Sequence, residues 1–272
     1  MQGRLSKPIA NQIQAFPINS WINEFEIAGR IGFNCIEWVF DDISNPIFTE
    51  TDKILELSKK FNIKINSVCA DLFMKKLLFR ENSQNIKLHL KILEKLIIQC
   101  DKLKIPIIEI PLVDSSSLKT DDEESQFCNN LSEILPLAKS LNIHIALETD
   151  LPPNHFKKLL QNFDSNQVKA NYDVGNSTAN KFNIKNELRI LKPWIINIHI
   201  KDRFESGNTV PLGTGDTDFE IFFSTLNEIK YCGDLIIQGA REDISVENDP
   251  KITCSKYLNF VKKYLYKYSL TF

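Results

Sequence analysis

The chain is poor in glycine, with 9 in 272 residues. No G-x-G-x-x-G follows its first strand, which argues against an open dinucleotide-binding sheet. The six cysteines (Cys35, Cys69, Cys100, Cys128, Cys232, Cys254) are scattered and form no C-x-x-C pair. That spacing excludes a zinc ribbon and speaks against a secreted disulfide framework, so reduced thiols are expected. Charge of one sign is also missing. The net charge of −2 leaves no broad footprint for nucleic acid or an anionic membrane, and neither partner is expected. No apolar run approaches the ~20 residues of a membrane-spanning helix. The opening MQGRLSKPIANQI has no apolar stretch of signal-peptide length, so the expected location is cytoplasmic.

What is present is ordinary globular composition, 43% hydrophobic and 25% charged, arranged in strict alternation. Short β-branched runs at Cys35–Phe40, Ile63–Cys69, Ile105–Val113, Ile143–Leu147, Val168–Tyr172, Ile195–Ile200 and Leu235–Ile237 read as buried strands. Helical periodicity fills Ser20–Arg30, Thr51–Phe61, Asn82–Leu103, Asp121–Leu141, Pro152–Asn162, Ile184–Leu191, Asp218–Ile229 and about Pro250–Tyr266. The acidic run Asp121–Glu124 suits a helix start, Pro152 and Pro153 a first turn, and Gly32 and Gly233 the stops before strands. Adding a strand around Gln2–Leu5 gives eight βα units. Alternating βα order implies a parallel sheet, and eight units imply closure. The expected fold is a single-domain (β/α)₈ barrel over residues 1–272, a length typical of one such barrel.

Chemistry in such a barrel sits at the carboxyl ends of the strands. Four successive ends carry a polar, metal-competent residue after an apolar run: Glu148 in Ala146-Leu147-Glu148, Asp173 in Asn171-Tyr172-Asp173, His199 in Asn197-Ile198-His199, and Gln238 in Ile236-Ile237-Gln238. Neighbouring strands would aim these four donors at one point. Each has a plainer alternative: a hydrogen-bonded core histidine, a helix cap at Asp173, a carboxylate paired to a base, a satisfied buried amide. Four together favour a site. His89, mid-helix, and His155, in an early helical turn, read as surface residues, and His144 starts its strand at the wrong end. The glycines of Gly213-Thr214-Gly215 read as loop geometry in the longer Phe204–Thr217 segment, with no nucleotide cradle.

The stretches GFNCIEW (Gly32–Trp38), IALETD (Ile145–Asp150), NYDVGN (Asn171–Asn176), NIHIKDR (Asn197–Arg203) and PLGTGDTDF (Pro211–Phe219) resemble the xylose-isomerase-like barrel superfamily, in its sugar-phosphate isomerase/epimerase branch. The resemblance covers nearly the whole chain. It implies one divalent ion held by Glu148, Asp173, His199 and Gln238, with Glu148 also the base. Gln238 stands where the family has a glutamate. An amide oxygen still ligates a hard cation, but an amide is no base. The ion is Mn²⁺, Mg²⁺, Co²⁺ or Zn²⁺, among which affinity order does not choose.

The implied activity is isomerisation or epimerisation of a small sugar or sugar phosphate, by proton removal next to a carbonyl through an enediolate. Substrate contacts are expected from Glu37 and Trp38, the latter against a sugar face, and from Lys201, Arg203 and Arg241 on the usual phosphate side. Lys201 has Asp202 as an alternative partner. With one carboxylate base and an amide opposite, a 1,2-proton shift between aldose and ketose is favoured over epimerisation, unless Asp150, Glu109 or Lys201 supplies a second group. The competing readings are a metal-dependent dehydratase of a polyol-derived keto compound and a non-catalytic sugar-binding barrel. The superfamily's three-zinc endonucleases of abasic DNA need more histidines than the four present.

Overall fold

The computed structural model describes residues 1–2, 4–9, 14–241 and 249–270. In chain order the strands are β1 (Cys35–Val39), β2 (Lys64–Cys69), β3 (Ile107–Leu112), β4 (His144–Thr149), β5 (Val168–Asp173), β6 (Ile195–Ile200), the two-residue β7 (Asp202–Arg203) and β8 (Thr209–Val210), and β9 (Asp234–Ile237). β7 and β8 form a small antiparallel hairpin. The other seven make one sheet in the order β1-β2-β3-β4-β5-β6-β9, every neighbouring pair parallel.

The N-terminal segment closes that sheet. Gln2 bridges Glu37 in parallel sense, and its N–H donates to the Ile237 carbonyl at 3.2 Å. Glu37 N–H donates to Met1 O at 3.0 Å, so the segment lies between the two edge strands. The expected strand at Gln2–Leu5 is thus reduced to one bridge at Gln2, with Gly3 outside the described residues. The result is the α/β barrel that the alternation predicted.

The helices are α1 (Trp21–Ile31), α2 (Thr51–Phe61), α3 (Ser83–Leu103), α4 (Asp121–Ser132), α5 (Leu135–Ser140), α6 (Pro153–Gln161), α7 (Val174–Ala179), α8 (Ile184–Leu191), α9 (Phe219–Ile229) and α10 (Pro250–Lys267). Two departures from the periodicity have local causes. The stretch 121–141 is two helices because Pro136 has no N–H to bond the Ser132 carbonyl four residues back. The short α7 arises because Asp173 caps it, Oδ1 accepting from Asn176 N–H at 2.8 Å. No helix among the described residues is long and apolar enough to cross a membrane.

Apolar side chains fill the layer between sheet and helices, where Phe25, Phe40, Phe127, Phe222 and Phe223 are fully buried. The lumen is different. β1 and β6 are not neighbours in the sheet, yet Glu37 touches both His199 and Asn197. Such a contact can only run through the barrel interior, so Glu37, Asn197 and His199 point inward. With Ser67, also bonded to Glu37, they make the lumen polar.

Candidate metal centre at the mouth of the barrel

β4, β5 and β6 bring three of the four expected ligands together. The Nδ1 atom of His199 lies 3.1 Å from Glu148 Oε2 and 3.8 Å from Asp173 Oδ2. All three side chains are buried. Two asparagines hold Glu148: Asn171 Nδ2 donates to Oε2 at 2.7 Å and Asn176 Nδ2 to Oε1 at 2.6 Å. Asp173 divides its carboxylate, Oδ1 capping α7 and Oδ2 facing Lys201 Nζ at 2.7 Å. The capping reading and the site reading of Asp173 are therefore both satisfied by one side chain.

Across the lumen, His199 Nε2 meets Glu37 Oε1 at 2.8 Å, and Glu37 Oε2 accepts from Ser67 at 2.5 Å and Asn197 at 2.9 Å. Burial opposes charging the imidazole, but Glu37 and Glu148 outweigh it and raise the His199 pKa well above its ordinary value. Burial likewise resists ionising Glu148, and hydrogen bonding and charge from His199, with Lys201 behind, bring it down to about 2. Glu37 is held below the usual carboxylate range by His199 and Ser67, against its own burial. Glu109 goes the other way. Burial, then the charge of Glu148, push it well up, against the pull of His199 and the Cys69 thiol.

Gln238 extends from the end of β9, where its N–H donates to Ile200 O at 2.9 Å. Its amide orientation is fixed by a chain of partners. Asp71 as a carboxylate only accepts, so Gln14 turns Nε2 to Asp71 Oδ2 at 2.5 Å. Gln14 Oε1 then faces Gln238, which must present Nε2, at 3.1 Å, and the same nitrogen reaches Gln2 Oε1 at 2.6 Å. The Gln238 oxygen is left buried and without a partner.

These groups can hold a divalent cation. Nδ1 of His199 lies near carboxylate oxygens of both Glu148 and Asp173, and the Gln238 oxygen is a hard donor without a partner among the described residues. Glu37 on Nε2 is placed as a carboxylate that can orient the imidazole and leave Nδ1 available to a metal. Two overlapping clusters have all ligand atoms within 4.8 Å of one another: Glu109, Glu148 and His199, and Glu37, Cys69 and Glu109.

The other candidate residues have partners within the protein. Trp38 does not reach the mouth. It is buried on the outer face, its Nε1 donating to Asn45 at 2.8 Å and its ring against Phe16 and Trp21, because Glu37 beside it takes the inward direction. Glu37 has its oxygens taken by His199, Ser67 and Asn197, which makes it a partner of the histidine. Lys201 pairs with Asp173, and Asp202 instead gathers the N–H groups of Gly213, Thr214, Gly215 and Thr217. The G-x-G is loop geometry around Asp202. Arg203 donates to Gly207 O and, at 2.8 Å, to Asn176 Oδ1, steadying the amide that holds Glu148. Arg241 donates to Ser6 O at 2.8 Å. Asp150 accepts from Ser117. His89 is buried, with Nδ1 2.7 Å from Leu77 O, while His155 is half-buried beside Glu124.

Glu109 was weighed only as a spare group, although a glutamate inside the run Ile107-Ile108-Glu109-Ile110 was a signal. Asn171 carried the same signal one alternation before Asp173. Asn176, inside the NYDVGN stretch, reaches the site from a helix, and Gln14 from a loop where nothing local marks it.

The profile of the family described as xylose isomerase-like TIM barrel matches residues 25–253. The chain belongs to that family. Within it, the chain is 23% identical to L-ribulose-5-phosphate 3-epimerase UlaE of Escherichia coli O1:K1 / APEC, covering 94% of each chain. Among solved structures, the xylose isomerase domain protein from Planctomyces limnophilus superposes with a TM-score of 0.77 at 17% identity, covering 90% of this chain and 93% of that one. The IOLI protein, solved with a bound zinc atom, gives 0.75 at 16% identity, covering 93% and 94%. The xylose isomerase-like assignment rests on the profile, and the structural likenesses speak for the fold.

Proposed function

We propose that this barrel is a divalent-metal-dependent isomerase or epimerase of a small sugar or sugar phosphate. The observation that carries the reading is the convergence of Glu148, Asp173 and His199 Nδ1 at the carboxyl ends of β4, β5 and β6, with Lys201 beside them. Glu148, Asp173, His199 through Nδ1, and Gln238 through Oε1 would hold the ion. Such an ion polarises adjacent carbonyl and hydroxyl oxygens.

The protein's own groups do the rest. Glu148, ionised and fixed by Asn171 and Asn176, takes the proton from carbon next to the carbonyl. The His199 charge that keeps Glu148 a weak base depends on a proton at Nδ1, the atom that must lose it to ligate. Lys201 lies within reach of a substrate oxygen at Asp173.

The name of the E. coli relative makes a ketose 5-phosphate the first substrate to try and epimerisation the first outcome to look for. Gln238 favours the second reading, a one-base aldose–ketose shift, because its amide nitrogen is tied to Gln2 and Gln14 and offers no acid or base. Turnover of ketoses and their phosphates in deuterated water separates the two. Label at the epimerised carbon means epimerisation, and label at C1 or C2 of an aldose–ketose pair means isomerisation. Removing metal with a chelator should abolish turnover reversibly, and His199→Ala should abolish divalent binding in a folded protein. Full activity after exhaustive chelation refutes the metal reading. Metal binding without turnover on any sugar refutes the enzyme.

A further inference from the structure

The seam where the barrel closes joins two segments of similar sequence, Gln2-Gly3-Arg4 and Gln238-Gly239-Ala240-Arg241. They strap each other reciprocally. Gln238 donates to Gln2 at 2.6 Å, Arg4 Nε donates to Gly239 O at 2.9 Å, and Arg241 Nη1 donates to Ser6 O at 2.8 Å. Cys254 Sγ in α10 adds a bond to Arg4 O at 3.3 Å. The straps place Arg4 one residue along from Gln238, at the edge of the metal centre.

Arg4 is only 5% exposed, and its Nη1 is buried with no hydrogen-bond partner. Among the described residues no carboxylate lies within 4.0 Å of its guanidinium. Its nearest charged influences are unhelpful to a cation. Burial, then the charge of Arg241, lower its pKa to about 10, with Asp71 opposing from further off. It stays protonated at neutral pH. A guanidinium is a planar fork of donors that suits the paired oxygens of phosphate or carboxylate. A buried charge persists when it is paired or hydrogen-bonded, and here the described residues supply a single carbonyl.

We propose that the Arg4–Arg241 seam is a binding site for an anionic group of the substrate, a phosphate or carboxylate, with Arg4 as its principal contact. The substrate is then a charged sugar derivative and not a neutral ketose. The claim rests on the proposed function only in treating the anion as part of a sugar. Arg4 is not prominent in the sequence because it lies in a segment with one bridge and no long apolar run.

The test uses the full chain stripped of metal, with inorganic phosphate and acetate as probes, read by titration calorimetry and by the shift in unfolding temperature. The wild type should bind at least one anion with a Kd of about 1 mM or tighter. Arg4→Met should weaken this about 10- to 100-fold, and Arg4→Lys should recover part of the loss. Preference for phosphate identifies a sugar phosphate, and preference for acetate a sugar acid. If Arg4→Met does not fold, Arg4→Lys and Arg241→Met carry the comparison. Wild type indifferent to roughly 10 mM of both anions, or variants that bind as the wild type does, overturns the proposal. Where turnover is found, Arg4→Met should raise KM for the charged sugar and leave KM for its neutral counterpart unchanged. Absence of turnover alongside Arg4-dependent anion binding would sink the enzyme reading and leave the anion site standing.

Discussion

Glu37→Gln should leave the barrel folded and impair its metal centre through a proton on the other side of an imidazole. Glu37 Oε1 accepts from His199 Nε2 at 2.8 Å, and both side chains are fully buried. An amide of the same shape can still accept from Ser67 and Asn197 through its oxygen. Its NH₂ then faces Nε2, and two donors cannot share that contact. The ring escapes by giving up the Nε2 proton and keeping Nδ1–H, which donates to Glu148 at the existing 3.1 Å. The tautomer is reversed. Nδ1, the ligating atom, now carries the hydrogen.

Losing a charge-assisted bond in favour of a neutral one should cost about 1.5–3 kcal/mol of stability. For a chain this long that is a fall of roughly 3–8 °C in unfolding temperature. Divalent affinity should fall about 10- to 100-fold, the usual effect of losing a carboxylate behind a metal-bound histidine. Nitrogen-15 spectra of the imidazole in the metal-free variant report the tautomer, and titration against a competing chelator reports affinity. Wild-type affinity in Glu37→Gln, with Nε2 still protonated, would refute the orienting role of Glu37.

Three further outcomes follow from particular contacts. A Cβ on Gly175 would meet Lys201 Cβ at 2.8 Å and Cγ at 2.9 Å, so Gly175→Ala should cost about 1–3 kcal/mol in urea unfolding and loosen Lys201 from Asp173. Glu187, buried beside Ser177, has its pKa raised by burial to about 7 from 4.5, so the folded state keeps a proton that the unfolded chain has lost. Its contribution therefore declines as pH rises from about 4.5 to about 7 and is flat above, and Glu187→Gln should remove up to about 3 kcal/mol of that dependence in unfolding followed against pH. Gln14→Leu frees the Gln238 amide to turn and should weaken divalent binding about tenfold, with no further loss in a Gln238→Ala background, as a double-mutant cycle would register.

The seven sheet strands were legible because each is a β-branched run too short for a helix, buried on both faces. The eighth was barely legible because it brings Gln2 and Arg4 to the seam and so shows no apolar run. A polar side chain ending an apolar run marked Glu148, Asp173 and His199, which the structure brings together at one end of the barrel. Alternation applied to the end places their neighbours. If Glu37 points inward, Trp38 must point out, and if His199 and Lys201 share the lumen side, Asp202 cannot. Gln14 was beyond reach, since it acts from an element whose place over the mouth depends on closure of the whole barrel.

A barrel interior is ordinarily filled by branched apolar side chains in layers. Here it holds Glu37, Ser67, Glu109, Asn171, Asn197 and His199, all buried. Apolar residues of similar volume would stabilise the barrel at least as well, because a buried ion pair gains little over packed hydrocarbon. The arrangement is better understood from what it does to one ring. Glu37 is held by two donors below the mouth, His199 is held by Glu37, and Nδ1 is thereby aimed at Glu148 and Asp173 with its tautomer decided from beneath. From above, Asp71 decides through Gln14 which end of Gln238 is free. Each uncertain donor, the imidazole and the amide, is thus settled by a carboxylate that does not itself need to touch the substrate. Were Gln238 to ligate, it would do so only through its oxygen, and the chain from Asp71 supplies the direction that charge would otherwise provide.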